Sequence, residues 1–168
     1  MDLTARWLRP LPVVSVAAVG PYAETVQEAW EHLRGLLIKH GARQDCRPGF
    51  ALLRDLPQEA RAENRRLEMC AQISEDWRIR LSNEAATSTF GGGAYLVTRH
   101  QGSYQALPEV FSRMYAACSL DMNISLDTKR PRNLFFHGDP DVTPPEELIA
   151  ELGLPVVAQS PERPRGNP

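Results

Sequence analysis

Glu68 is the carboxylate best placed to do chemistry. In the stretch LEMCAQIS, residues 67–74, apolar residues alternate with Glu68, Cys70 and Gln72, which is the period of a β-strand with two unlike faces. If the polar face turns toward a bound molecule, Glu68 could contact a ligand or serve as the base of a hydrolytic reaction. The alternatives are that this face is solvated or that Glu68 pairs with an arginine across the sheet.

Aromatic side chains are the second set of residues that could act on a ligand. A flat ring with a polar tip suits flat, lipophilic compounds, which bind by stacking and by burial of apolar area. Each of these side chains could instead belong to the core, and Tyr95 and Tyr104 are the preferred ligand contacts. The predicted ligand-binding residues are Trp30, Glu68, Tyr95, Tyr104, Phe111, Tyr115, Leu134 and Phe136.

Other kinds of chemistry find little support in the sequence. Cys46, Cys70 and Cys118, like the four histidines, lack the spacing of metal ligands, and the cysteines form no disulfide framework. There is no Gly-x-Ser-x-Gly motif, and the glycine run at 91–93 lacks the GK[ST] ending of a phosphate-binding loop. We therefore predict no catalytic residue, no metal and no cofactor.

Charge and hydropathy narrow the possible partners. The chain carries 19 basic and 21 acidic residues, a net charge of −2, which argues against a broad electrostatic contact with nucleic acid. No apolar run approaches the roughly 20 residues of a membrane-spanning helix, and the first residues lack the apolar stretch of a signal peptide. We predict a cytoplasmic protein that binds neither membranes nor nucleic acid directly.

A repeated pattern must position the candidate residues. Gly-x-Tyr occurs at residues 20–22 and again at 102–104, 82 positions later, each time between an apolar strand and an amphipathic helix. One such unit cannot bury its helix alone, but two units paired about a pseudo-twofold axis can share a sheet. The sequence therefore predicts an α+β fold of duplicated β-α-β-β halves, with an antiparallel sheet, two main helices on one side and a central cleft.

The predicted boundaries follow from the same repeat. A single domain spans residues 1–158, with pseudo-repeats at about 8–82 and 90–157. The segment 159–168 is rich in proline and charge, and we predict that it is disordered.

Three local patterns predict individual elements. Thr25 and Glu28 fit a capping box, which predicts that the first helix begins there. Residues 77–81 alternate like a strand that continues or pairs with the preceding one, and residues 147–157 fit either a helix or a strand.

Three stretches of the chain resemble the GyrI-like family, the AraC-type effector-binding domain that also forms the drug-sensing half of MerR-class regulators. They read VGPYAETVQEAWEHL, GGGAYLVTRHQGSYQALPEVF and LFFHGDPDVTPPEELIAELGLPV, and the similarity covers about residues 8–157. The resemblance implies a bacterial protein linked to transcription regulation, with a small-molecule cleft near the pseudo-axis. It also favours a strand for the last segment.

The chain departs from this family at one informative position. The closing hairpin of the family commonly carries a Glu two residues before a Tyr, and the Glu pairs with cationic aromatic ligands or acts in hydrolytic members. Here Leu134 stands in place of the Glu and Phe136 in place of the Tyr. A buried carboxylate is unfavourable unless a ligand or partner compensates for it, so its absence removes the main reason to expect a cationic ligand.

The sequence leaves three functions open. The first is a small-molecule-binding module for flat aromatic or lipophilic compounds, without a DNA-binding domain, because no helix-turn-helix pattern precedes the strand at about residue 13. The second, which the family resemblance implies, is a regulator that binds a partner protein such as gyrase. The third, also implied by the resemblance, is a hydrolase of strained electrophilic compounds, in which Glu68 would be the base, aided by Tyr104.

Overall fold

An eight-stranded antiparallel sheet and three helices form the frame of the molecule, in agreement with the predicted α+β class. The computed structural model describes residues 1–42, 49–56, 59–81, 86–120 and 124–157. The proposed disordered tail and Cys46 lie outside these ranges. The elements are β1 (Thr4–Leu8), β2 (Leu11–Val19), α1 (Tyr22–Lys39), β3 (Gly49–Leu53), β4 (Arg66–Gln72), α2 (Glu75–Leu81), β5 (Ala86–Phe90), β6 (Gly93–Gln101), α3 (Leu107–Leu120), β7 (Arg132–Phe136) and β8 (Ile149–Pro155).

The sheet order shows the duplication directly. The strands lie in the order β1-β6-β8-β7-β3-β4-β2-β5, so that β2-α1-β3-β4 (the first half) and β6-α3-β7-β8 (the second half) meet where β3 pairs with β7. From β3 onward, a residue of the first half and its equivalent in the second half are 83 positions apart, one more than the two Gly-x-Tyr motifs. Ala51 and Leu134 are equivalent in this sense, and they also lie opposite each other in the β3–β7 pair. The pseudo-twofold axis therefore passes through the Ala51–Leu134 pair.

The leading strands are exchanged between the halves. β1 precedes β2 in the chain but pairs with β6, and β5 precedes β6 but pairs with β2. Where the two segments cross, Gly92 has a φ of +65°, and a Cβ there would lie 2.3 Å from the carbonyl oxygen of Leu8, so the crossing requires glycine. Because the halves are joined both here and at β3–β7, the sheet is curled.

Strand alternation gives the sheet two apolar faces. α1 packs on β2 and β4, and α3 packs on β8, over a large cluster that includes Leu33, Met69 and Met114. We call this side the helix face. On the concave side, here called the inner face, a second cluster contains Phe50, Phe90 and five other buried residues. Both main helices therefore lie on one side of the sheet, as predicted.

The structure corrects two local predictions. Helix α1 begins at Tyr22, and Thr25 lies inside its first turn, where the hydroxyl donates to the carbonyl oxygen of Pro21 at 2.9 Å. The capping box is therefore wrong, because Gly20, at a φ of +146°, turns the strand straight into a helix led by proline. Residues 77–81 belong to helix α2 rather than a strand, because five residues of alternation also fit one side of a short helix. The last segment forms strand β8, as the family resemblance implied.

None of the described helices is long and apolar enough to cross a membrane.

Candidate functional site

Each Gly-x-Tyr turn fastens a helix start to a hairpin of its own half. The amide of Gly20 donates to the carbonyl oxygen of Arg65, and the amide of Gly102 donates to that of Leu148, both at 2.9 Å. The Tyr22 hydroxyl donates to the carbonyl oxygens of Asp55 and Arg66, and the Tyr104 hydroxyl to those of Gly138 and Ile149. Each of these partners in the second half lies 83 positions after its equivalent in the first half: Leu148 after Arg65, Gly138 after Asp55, and Ile149 after Arg66. The two tyrosines therefore make equivalent contacts in the two halves.

Burial changes the acidity of both tyrosine hydroxyls. Desolvation raises the pKa of Tyr22 to about 12 and also raises the pKa of Tyr104, because the phenolate would lose solvation. Each hydroxyl is consequently a hydrogen-bond donor at neutral pH. The hydroxyl of Tyr104 is occupied by the hairpin, so a ligand would meet the half-buried ring.

The two main helices flank the centre of the sheet on its helix face. Since α1 lies over β2 and β4 and α3 over β8, the central strands β3 and β7 form the floor between them. On the helix face this floor consists of Ala51, Leu53, Leu134 and Phe136. We call this region the interhelical groove.

One end of the interhelical groove is aromatic. The Trp30 ring lies directly over Gly49, where a Cβ would be 2.5 Å from Cζ3. Phe136 is one step beyond the Phe50–Phe135 pair, which places it on the strand beside Gly49. The rings of Phe136 and Tyr104 meet edge to face, with centroids 5.1 Å apart. All three rings are partly exposed, so they form a surface that a ligand could contact.

At the other end of the interhelical groove lies a buried arginine with its ion-pair partner. Arg132 lies opposite Leu53 and is only 5% exposed. Its Nη1 donates to the carbonyl oxygen of Arg54 at 2.9 Å, and its Nη2 pairs with the Glu59 carboxylate. A buried cation needs such partners, so this end serves stability.

The middle of the groove is apolar and covered. Leu134 lies on the pseudo-twofold axis and is 4% exposed within the helix-face core. Phe111 of α3 is also buried in this core, whereas Tyr115 is half-buried at its edge. The centre of the floor, at position 134, therefore carries an apolar side chain and no carboxylate.

Two predicted site residues lie on the inner face, away from the groove. Glu68 accepts a hydrogen bond from Arg54 Nη2 at 2.6 Å, which is the arginine pairing considered as an alternative. Tyr95 is 1% exposed, donates to the carbonyl oxygen of Pro131 at 3.3 Å and is covered by the Arg130 guanidinium, 5.1 Å from the ring centre. The structure thus brings Trp30, Tyr104 and Phe136 together and separates them from Glu68 and Tyr95.

The thiol groups offer no reactive centre among the described residues. Cys70 and Cys118 are both buried, and burial raises the pKa of Cys70 to about 12, so that this thiol stays protonated. Within the described ranges, no three His, Cys, Asp or Glu side chains lie together as a metal site would require.

Sequence reasoning missed two residues that shape the site. Gly49 admits the Trp30 ring, and Arg132 closes the far end of the groove. These two occupy equivalent positions, 83 residues apart, at the starts of β3 and β7. Extending the repeat past the Gly-x-Tyr motif would have revealed this contrast between a glycine and an arginine.

Several solved structures share this fold. A hydrolase from Listeria innocua is 14% identical over 93% of this chain and 92% of that chain, with a TM-score of 0.62. EcmrR, in an EcmrR–DNA complex, is 15% identical over 92% of this chain and 57% of that chain, with a TM-score of 0.75. SAV2435, bound to tetraphenylphosphonium, is 14% identical over 94% of both chains, with a TM-score of 0.65. At these identities the likeness establishes the fold alone.

Sequence comparison is more specific about the family. A model of the GyrI-like small molecule binding domain matches residues 1–157 of the chain. No curated protein sequence gives a significant match.

Proposed function

The chain belongs to the GyrI-like small-molecule-binding domain family, and from this premise we propose that it binds a flat, neutral or lipophilic aromatic compound at the aromatic end of the interhelical groove. The observation that carries the proposal is the partly exposed cluster of Trp30, Phe136 and Tyr104 beside Gly49. Tyr115 borders the same core from α3. Stacking and burial of apolar area supply the affinity.

The proposed preference for a neutral ligand rests on the groove floor. The related SAV2435 was solved with tetraphenylphosphonium, a lipophilic cation whose charge is favoured by a nearby carboxylate. Here Leu134 occupies the centre of the floor, and the ion pair nearest the groove, Arg132 with Glu59, is already satisfied. Shape and apolar area therefore select the ligand, and positive charge adds nothing.

The proposed module senses or sequesters its compound rather than reading DNA. In the described part of the chain, strands of the sheet separate each helix from the next, so no helix-turn-helix forms there. A partner protein would then receive the signal, and gyrase is the partner that the family resemblance implies. A supercoiling assay with and without added protein tests this partner.

The structure does not favour the hydrolytic alternative, because the two residues proposed for the reaction lie apart. The reaction requires Glu68 near Tyr104, whereas the two lie on opposite faces of the sheet and Glu68 is paired with Arg54. Two structural relatives from Listeria innocua are hydrolases, but they share only the fold with this chain. We therefore favour binding over catalysis.

Tryptophan fluorescence provides the test. In a Trp7→Phe/Trp77→Phe background, Trp30 is the sole remaining tryptophan, and we expect triphenylphosphine oxide, a neutral aromatic probe, to change its emission. Tetraphenylphosphonium should bind no more tightly than the neutral probe. Because both probes have tetrahedral phosphorus, the flat compound naphthalene is added as a third probe. A Trp30 signal that does not respond to any of the three at its solubility limit contradicts the proposed site.

Restoring the carboxylate sharpens the test. Leu134→Glu should raise the affinity for tetraphenylphosphonium relative to the neutral probe by about tenfold, because it supplies one desolvated counter-charge. Leu134→Gln is the matched control, since it has the same shape without the charge, and it should leave the ratio of the two affinities unchanged. An equal effect of both substitutions would show that charge at position 134 does not select the ligand.

A further inference from the structure

The two halves of the molecule differ at one pair of positions on the inner face. In the first half Phe50 lies opposite Cys70, and both are completely buried. Their equivalents in the second half, 83 residues later, are Asn133 opposite Gly153. Asn133 is 1% exposed, and its Nδ2 has no hydrogen-bond partner among the described residues. The second half thus keeps an unpaired amide donor where the first half has a phenyl ring, which is unfavourable for folding.

Gly153 makes room for this amide. A Cβ at Gly153 would lie 2.0 Å from Oδ1 of Asn133, so the carboxamide lies across β8, on the side away from Leu52 of β3. On β6, Val97 is the residue opposite Gly153. The unpaired donor is therefore one strand away from Val97.

Val97 lines a cavity of about 410 Å³ at the β1 edge of the sheet. The charged residues in its lining are Asp2, Arg6, Arg99, Arg113 and Glu151. Arg6 is neutralised by Glu151, whose Oε1 lies 3.0 Å from its Nη1. Arg99 and Arg113 are exposed, and neither forms an ion pair with any residue in the described ranges. With Asp2 as the only other carboxylate in the lining, the three arginines outnumber the two carboxylates, and the cavity carries an excess of positive charge.

The first half lacks this polar lining. Residues 98–100 of β6 are Thr-Arg-His, and the equivalent residues 16–18 of β2 are Val-Ala-Ala. Arg99 thus corresponds to Ala17, just as Asn133 corresponds to Phe50. Because the two halves share one backbone plan, the fold does not require these polar side chains.

From this asymmetry we propose that the inner face of the second half binds an anionic group of a small molecule, a carboxylate or a phosphate. Arg99 supplies the charge, and Nδ2 of Asn133 donates a hydrogen bond to an acceptor that reaches past Val97. Arg99 and Asn133 lie on the inner face, opposite Trp30 and the interhelical groove, whereas the cavity beside them also extends around the β1 edge to Val110 and Arg113 of α3. This is therefore a second binding site, beyond the proposed function, and its occupant differs chemically from the neutral aromatic ligand.

Calorimetric titration of the full chain with sodium succinate and with inorganic phosphate tests the proposal, against sodium chloride at equal ionic strength. We expect at least one of the two anions to bind, and their relative affinities identify carboxylate or phosphate as the preferred group. Arg99→Ala, which copies Ala17, should weaken binding by about tenfold or more. Arg9→Ala is the matched control, because Arg9 is an exposed arginine outside the cavity and its removal should change affinity less than twofold.

Asn133→Leu distinguishes a loss of anion binding from a loss of folding stability. Replacing an unpaired buried amide by an apolar group of similar size should leave the melting temperature unchanged or higher, while anion affinity falls by about fivefold or more. Binding of triphenylphosphine oxide to the groove should not change, so failure at this site is distinguishable from failure of the proposed function. The proposal is overturned if neither anion binds beyond the chloride control, or if Arg99→Ala or Asn133→Leu binds within twofold of the unaltered chain.

Discussion

The two halves of this domain repeat a backbone plan and diverge in the side chains attached to it. Gly20 and Gly102 both turn a strand into a helix at positive φ, 146° and 131°. Tyr22 and Tyr104 both fasten the hairpin that closes their own half. These contacts involve backbone carbonyl oxygens, so they tolerate extensive change elsewhere in the sequence.

The differences are concentrated at the ends of the groove and on the inner face. Gly49 beneath Trp30 corresponds to the buried Arg132, and Phe50 corresponds to Asn133. The duplication thus provides an internal control: what both halves share serves the fold, and what only one half carries needs a reason of its own. The following predictions test this division, from the largest expected effect to the smallest.

Arg132→Met should be the most damaging of these substitutions. It leaves the Glu59 carboxylate and the carbonyl oxygen of Arg54 without their buried partner, and we expect a loss of about 3 kcal/mol in the free energy of unfolding. Arg66→Met makes the same chemical change at an ion pair whose arginine is 65% exposed, and should cost clearly less than Arg132→Met, because solvent screens an exposed ion pair. Urea unfolding of both variants checks this, and equal losses would show that burial does not distinguish the two arginines.

Gly20→Ala and Gly102→Ala test whether the two turns are equally strained. A Cβ at Gly20 would lie 2.8 Å from Cγ2 of Thr25, whose hydroxyl is held by a hydrogen bond, whereas a Cβ at Gly102 would meet only the His100 ring at 3.4 Å. We expect Gly20→Ala to cost about 2 kcal/mol or more and Gly102→Ala about 1 kcal/mol. Thermal unfolding measures the order, and the reverse order would contradict the packing difference.

Tyr22→Phe and Tyr104→Phe should each cost about 1 kcal/mol, since each removes one hydroxyl donor shared by two carbonyl oxygens. If the turns are independent, the losses add in the double variant, and a large coupling would contradict the separate-halves plan. Chemical denaturation of the two single variants and the double variant gives all three values.

The dependence of stability on alkaline pH tests the burial of Tyr22. The pKa of Tyr22 is raised from 10.0 to about 12 by burial, so the folded state holds the proton more tightly than the unfolded state. The resulting stability is complete below pH 10 and is lost as pH rises toward 12. Tyr22→Phe should flatten this alkaline loss, and denaturation between pH 9 and pH 12 measures it.

Asp55→Asn should have the smallest effect, confined to acid. The side-chain hydrogen bond from Arg66 lowers the pKa of Asp55 from 3.8 to about 2. A lowered pKa means that the ion pair stabilises the fold fully above about pH 4, and that this contribution is lost as pH falls to 2. Because Arg66 is mostly exposed, we expect less than about 1 kcal/mol. Gly138 stands at the equivalent position in the second half, so Gly138→Ala, as the matched control, should leave the acid dependence unchanged.

The repeated turns were predictable from sequence because their geometry is local. Gly20 followed by a proline and a tyrosine has few backbone conformations that join a strand to a helix. Gly102 is followed by Ser103 instead, whose hydroxyl accepts a hydrogen bond from the Gln105 amide and so caps the next turn. The helical period behind each turn predicted α1 and α3. The departure at Leu134 could also be found from sequence, since it needs only a comparison of residue types.

The composition of the site was less predictable, since alternation along a strand assigns residues to two faces without saying which face is which. Glu68 and Leu134 were both candidates for one cleft, yet they lie on opposite sides of the sheet. The prediction of a strand at residues 77–81 was wrong for a related reason, because a pattern of only five residues does not distinguish a strand from a short helix.

By itself, the sequence determined the duplicated plan, the two turns that begin its helices and the apolar groove position at Leu134. Only the tertiary structure decided that β1 and β5 exchange places between the halves, that Trp30 lies over Gly49 while Phe136 meets Tyr104, and that Nδ2 of Asn133 is buried without a hydrogen-bond partner among the described residues. The physical reason is that local backbone preferences act between neighbours in the chain, whereas pairing and burial depend on segments that are distant in sequence and meet only when the sheet closes.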